Sequence, residues 1–169
     1  ISYTQNSGIP SQIRFWNVSS QAWSGEQLAN DTVNGTGGTE KLYNKVCTAP
    51  NRREAVIITT PNQAVSVKPT FSAQIFNGTG IVENSNFSVD AAPITPANAR
   101  MIGCAYEEQS KRAIVVWAAD ATADNFNYTI WNGTSWSAVG KAIDPDPATE
   151  EYTIRLVPNP RSNETLFVT

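Results

Sequence analysis

The sequence predicts an all-β fold made of three copies of one four-stranded unit, each the size of a propeller blade. Three observations carry that prediction. Short apolar runs rich in β-branched residues recur along the 169 residues, and none has a sustained helical period. Aromatic-Asn turns recur at near-equal intervals. Charged residues make up only 16 % of the chain, and Ser, Thr, Asn and Gly fill the polar positions, as in secreted β-proteins.

Read in order, the chain opens on the second half of a unit. Residues 12–16 form its third strand and lead into a loose aromatic turn, Phe-Trp-Asn-Val-Ser-Ser-Gln-Ala-Trp-Ser, at 15–24. The next unit begins with a strand and polar turn over 44–52. It continues as Arg-Glu-Ala-Val-Ile-Ile-Thr-Thr at 53–60, whose branched side chains suit a pleated surface. After a Pro-bounded loop at 61–69, its third strand ends in Ile-Phe-Asn-Gly-Thr-Gly-Ile at 75–81. A Pro-rich loop at 91–98 precedes the following unit: 102–111, then Arg-Ala-Ile-Val-Val-Trp-Ala at 112–118, then Ile-Trp-Asn-Gly-Thr-Ser-Trp-Ser at 130–137. The last unit supplies only two strands, 153–163 and Glu-Thr-Leu-Phe-Val-Thr at 164–169. Asn-Gly between apolar positions predicts tight hairpins with both turn residues at positive φ.

Trp16, Phe76 and Trp131 mark one position of the unit and stand about 55 to 60 residues apart, the size of a four-stranded blade. Running on from the tail into the head preserves that interval, so one of the three units is expected to be completed across the termini. A ring of two chains, a longer parent chain, or donation of strands from one chain to the next would each complete it. Donation that does not close gives a filament. A β-sandwich whose Asn-Gly turns merely echo one another is the alternative architecture. Residues 1–169 read as one domain. The opening Ile1-Ser2-Tyr3, without Met or signal peptide, is expected to mark a mature or excised segment of a longer precursor.

Composition narrows the function classes. With no histidine, the usual general base at neutral pH, the Ser-His and Cys-His nucleophile pairs and the commonest transition-metal ligand are all missing. A net charge of −3 and a pI near 4.9 give a phosphate-tracking groove no electrostatic support, so nucleic acid is not an expected partner. No apolar run approaches the ~18 residues of a membrane span.

Eight Asn-x-Ser/Thr sites, Asn17, Asn30, Asn34, Asn77, Asn86, Asn127, Asn132 and Asn163, predict N-glycosylation; hairpin chemistry accounts for Asn77 and Asn132 equally well. Cys47 and Cys104 fall at what read as corresponding positions of successive units, with Leu156 in the third, and a disulfide between them is expected in an oxidising compartment. Trp16, Trp131 and Trp136, with Trp23, are candidates for sugar stacking, weighed against packing between sheets, which is the commoner use of a repeated aromatic. Asp144, Asp146, Glu150 and Glu151, and Asp120 with Asp124, lack a calcium loop's spacing and read as solvated turns. Neither a catalytic constellation nor a cofactor site is expected.

The stretch Trp-Asn-Gly-Thr-Ser-Trp-Ser at 131–137 with Ile-Arg-Leu-Val-Pro-Asn-Pro-Arg-Ser-Asn-Glu at 154–164 resembles the tandem repeats of large archaeal cell-surface proteins, and Cys-Ala-Tyr-Glu at 104–107 followed by 113–117 is similar to the other half of the same repeat. That resemblance implies a propeller-like architecture and a cell-surface location. Ile-Arg-Phe-Trp at 13–16 is faintly similar to short-blade fucose-binding lectins, without their repeated Arg, Glu and Trp constellation. The reading is therefore a non-catalytic structural or adhesive subunit of a glycosylated extracellular assembly, a homo-oligomer or polymer joined through terminal strands. A glycan-binding lectin is the alternative, and a glycoside hydrolase the weaker one.

Overall fold

The computed structural model describes residues 2–3, 12–28, 41–61, 70–89, 101–118, 125–143 and 153–168. They form strands and no helix: β1 (Ser2–Tyr3), β2 (Gln12–Ile13), β3 (Trp16–Asn17), β4 (Ala22–Trp23), β5 (Gln27–Leu28), β6 (Lys41–Thr48), β7 (Ala55–Pro61), β8 (Thr70–Phe76), β9 (Ile81–Ser88), β10 (Ile102–Tyr106), β11 (Ala113–Ala118), β12 (Asn125–Trp131), β13 (Gly140–Ile143), β14 (Arg155–Pro158) and β15 (Thr165–Val168). The three predicted apolar strands are β7, β11 and β15.

Two four-stranded antiparallel meanders form the body: β6-β7-β8-β9, here sheet I, and β10-β11-β12-β13, sheet II. A three-stranded head sheet, β1-β2-β5, precedes them, with the hairpin β3-β4 beside it. A two-stranded tail hairpin, β14-β15, follows. The strands of the meanders are joined in sequence order, so each connection is local.

The sheets stack in series. Along β7 the side chains alternate: Ala55 and Ile57 pack with Ile13 and Phe76 toward the head, whereas Val56 and Ile58 pack against Val115 and Trp117 of sheet II. β11 repeats the arrangement. Its Val115 and Trp117 meet sheet I, and its Val116 and Ala118 meet Ile154, Leu156 and Phe167 of the tail. Burial on both faces explains why 55–58 and 113–118 read as unbroken apolar runs and not as alternating ones. β9, at the outer edge of sheet I, is buried at no position, mixes half-buried with exposed ones and carries Glu, Asn and Ser accordingly.

Two expectations are corrected. At the Asn-Gly turns only Gly78 and Gly133 take positive φ, at 93° and 102°. The loop is a wider one, in which Asn77 N–H bonds Gly80 O and Asn132 N–H bonds Ser135 O. The asparagine side chain satisfies the turn, so Asn itself needs no left-handed backbone. Nor is a unit completed across the termini within one chain: β15 pairs with β14, β2 pairs with β1 and β5, and the tail hairpin stands as its own sheet. The loops expected at 62–69 and 91–98 lie outside the described residues; Pro61 ends β7.

Gly103 shows how closely successive sheets approach. A Cβ there would lie 2.6 Å from Ile154 Cγ2, inside van der Waals contact. Gly103→Ala is expected to lower stability by about 1–3 kcal/mol, through overpacking between sheet II and the tail, as read from a shifted urea midpoint with unchanged slope.

Candidate functional site

The repeat can be aligned atom by atom. In each copy the first and second strands are closed by the same 2.8 Å bond: Ala49 N–H to Glu54 O, Glu107 N–H to Arg112 O, and Asn159 N–H to Glu164 O. Counting along the ladders from there makes Val56, Ile114 and Leu166 equivalent, likewise Ile58, Val116 and Val168, and likewise Cys47, Ala105 and Val157. In sheets I and II these positions face the next sheet along the chain. Val56 and Ile58 are fully buried by sheet II, and Val116 by the tail. In the tail hairpin the equivalent Val157, Leu166 and Val168 are 50 %, 63 % and 43 % exposed. The tail thus presents, bare, the face that sheets I and II each bury.

The head has the complementary gap. Asn17, Asn77 and Asn132 each accept backbone N–H groups two and three residues on (2.9 and 3.3 Å, 3.0 and 3.1 Å, 2.9 and 3.0 Å), which aligns Trp16 with Phe76 and Trp131. By that alignment β2 stands where the third strand of a full sheet stands and β5 where the fourth does. β1 covers two rungs of the second-strand place, pairing Ser2 with Ile13 and Tyr3 with Gln12. The remainder of that place is a cavity of about 470 Å³ with an apolar floor that includes Ile13, Phe15, Val46, Ala55 and Ile57; Trp16 stands at its side, and Arg52, Arg53 and Glu54 line its charged part. Phe76 and Trp131 are buried by the sheet before them; Trp16 is 48 % exposed. Burying such side chains against a matching sheet is favourable by roughly 25 cal/mol per Å² of apolar surface covered.

Cys47 and Cys104 are bonded, with Cα atoms 6.0 Å apart. They are not equivalent, however: the ladders align Cys47 with Ala105 and Val157, and Cys104 with Val46 and Leu156. The offset by one is required. A side chain reaching from sheet I toward sheet II and one reaching back must lie on opposite faces of equivalent strands, and faces alternate residue by residue. Polar contacts lock the same junction. Arg52 pairs with Glu54 at 2.6 Å, donates to Lys111 O and lies over the Tyr106 ring, while Tyr106 OH donates to Glu54 Oε1 at 3.0 Å. Burial, followed by the neighbouring Glu54 carboxylate, pushes the Tyr106 phenol well above its ordinary value. Between sheet II and the tail, Gln109 Nε2 donates to Arg161 O at 2.6 Å and Ser110 N–H to Asn163 Oδ1 at 2.7 Å.

The predicted site residues separate under this geometry. Asn17, Asn77, Asn86, Asn132 and Asn163 are exposed, at the end of β3, on turns or on the outer strand β9. Asn127 is buried at 3 % on β12, facing sheet I beside Trp117, and its side chain is closed to glycan addition in the folded chain. Asn30 and Asn34 lie outside the described residues. Trp131 is 4 % exposed and packs in the core between sheets I and II, with Trp136 against it at 5.5 Å and against Phe87 at 5.6 Å. Stacking on sugar at Trp131 is corrected to packing, and the open indole faces belong to Trp16 and Trp23, whose rings meet edge to face at 5.4 Å. Among the described residues no three His, Cys, Asp or Glu side chains converge. The clusters Asp120 with Asp124 and Asp144, Asp146, Glu150 and Glu151 lie outside them. Among the described residues no helix is long and apolar enough to cross a membrane. Sequence reasoning missed the exposed trio Val157, Leu166 and Val168; only the ladder count reveals that their counterparts are buried.

The chain matches no protein-family model, no curated protein and no solved structure.

Two measurements check the junction. Cys47→Ser with Cys104→Ser is expected to cost about 2–5 kcal/mol in chemical denaturation, the usual loss for a native disulfide. In an ultraviolet titration one tyrosine should stay un-ionised past pH 10 until the chain unfolds, and Tyr106→Phe should remove that lag. Since the folded phenol holds its proton more tightly, its contribution to stability is complete below the unfolded pKa near 10 and declines as pH rises beyond it.

Proposed function

We propose that this chain is a structural subunit of a glycosylated, extracellular cell-surface assembly, in which the stacked sheets act as propeller-like blades and copies join head to tail. One observation carries the reading: the tail hairpin, with its bare apolar face, contains the second strand of the repeat, and the head leaves most of that strand's place as a cavity. An apolar face of this kind on an isolated molecule marks an interaction surface. The disulfide suits an oxidising compartment, and the exposed glycosylation sequons suit a secreted surface. The resemblance of 131–137 and 154–164 to archaeal surface-protein repeats points the same way. No catalytic role is assigned.

Light scattering and negative-stain electron microscopy across a concentration series test this. The expected result is concentration-dependent rods or rings, and a wild-type chain that remains monomeric throughout would end the proposal. Leu166→Glu places a charge on the tail face at a solvent-exposed position. It should leave the thermal midpoint of the dispersed chain nearly unchanged while raising the concentration needed for assembly at least tenfold, roughly what ~1.4 kcal/mol of lost contact gives.

A second reading, a glycan-binding lectin, draws on the exposed Trp16 indole beside a cavity that also holds Arg52, Arg53 and Glu54. It requires glycan-array binding that Trp16→Ala abolishes; binding that survives this substitution rejects it.

A further inference from the structure

Resting on the head-to-tail reading, we propose that the occupant of the head cavity is the β14-β15 hairpin of a second copy, with β15 hydrogen-bonded to the third-strand edge of the head in one defined register and β1 displaced from it.

Both internal junctions supply the register. In sheet I the second strand pairs with the third as Ala55 with Phe76, Val56 with Ile75, Ile57 with Gln74 and Ile58 with Ala73. In sheet II the same rungs are Ala113 with Trp131, Ile114 with Ile130, Val115 with Thr129 and Val116 with Tyr128. Carried to the incomplete unit, they become Thr165 with Trp16, Leu166 with Phe15, Phe167 with Arg14 and Val168 with Ile13. The faces agree. Leu166, Val168 and Val157 would point at Ala55, Ile57 and Val46, as Val56, Ile58 and Cys47 point at Ala113, Val115 and Cys104 across the first junction.

Backbone direction agrees as well. Phe15 bonds Ser24 on its far side, with Ser24 N–H to Phe15 O at 2.8 Å, as Ser137 N–H bonds Ile130 O at 2.8 Å. The N–H and C=O of one residue point to the same side of an antiparallel strand and alternate with those of the next. Trp16 therefore turns its backbone groups to the cavity side, as Trp131 turns its own to Ala113. No described strand pairs with that edge beyond Ile13. The third-strand place is divided between β2 and β3, where β8 and β12 each run unbroken for seven residues.

β1 sits on the rungs at Gln12 and Ile13, the second of which Val168 would take. It runs in the direction of a second strand and fills two rungs of the place. It is a placeholder: a four-residue strand with an apolar face replaces a two-residue one.

Mixing two single-cysteine variants tests the register in trans. The native cysteines are both in the disulfide, so an added thiol is the only free one. Leu166 and Phe15 would form a non-hydrogen-bonded pair, whose close Cα approach suits a disulfide. Leu166→Cys and Phe15→Cys chains, assembled together and mildly oxidised, are expected to give a cross-linked heterodimer at least tenfold more abundant than the one-rung-shifted pair, Leu166→Cys with Arg14→Cys. Assembly with no such preference would overturn the register and leave the structural-subunit reading standing. Absence of any assembly in the wild-type chain would remove both. Tyr3→Pro deletes the N–H that β1 offers Gln12 and should speed assembly several-fold; an unchanged or slower rate would overturn the displacement of β1.

Discussion

Each full sheet of this protein has a second strand that is apolar on both faces, and that constraint governs the rest of the structure. β7 and β11 have no solvent side, so each sheet needs a neighbour before it and another after it. Such a sheet cannot end a stack without cost, because the last member must leave one face uncovered. The chain shows where this happens. Toward the head a cavity borders Ala55, Ile57 and Val46, of which Val46 is exposed, and in the tail Val157, Leu166 and Val168 are exposed.

The two ends differ in kind, and the difference fits a joint better than a defect. The head offers an edge and a hollow, and the tail offers a hairpin with an exposed apolar face. Two identical bare faces would favour a closed, two-fold pair. Unlike surfaces at opposite ends of a repeat favour head-to-tail propagation, which stops only if the rotation per copy closes a ring. Exposed edges of this type also invite unwanted pairing. β1 blunts the acceptor edge with two rungs, and the charged rim of Arg52, Arg53 and Glu54 keeps the hollow from being wholly apolar.

Much of this was legible before any coordinates. Runs of β-branched and other apolar residues announced β7, β11 and β15; in β7 and β11 two-sided burial leaves no polar alternation to confuse the reading. The Asn-Gly turns announced the third strands and their spacing, although the asparagine side chains, and not paired left-handed residues, shape the loops. Other features had no signature in one dimension. A two-residue strand such as β1 shows no periodicity. A sequon does not say which way its strand faces, so Asn127 read like the exposed Asn86. The cysteines looked equivalent because both precede a polar turn, and only the ladders show the shift by one residue that lets them face each other.

That one-residue shift also says what kind of object the repeat builds. Were the sheets paired back to back, equivalent residues would meet across the junction. Instead the face that sheet I turns forward meets the face that sheet II turns backward, and sheet II turns forward to the tail the same face that sheet I turned to it. The operation relating neighbours is therefore a repeated step in one direction, and the first junction fixes it with a disulfide and the buried Tyr106, held by the half-buried Glu54 and Arg52. A step of this kind carries no instruction to stop. The tail hairpin obeys it as fully as the sheets before it, and its exposed valines and leucine are in place for one more repetition.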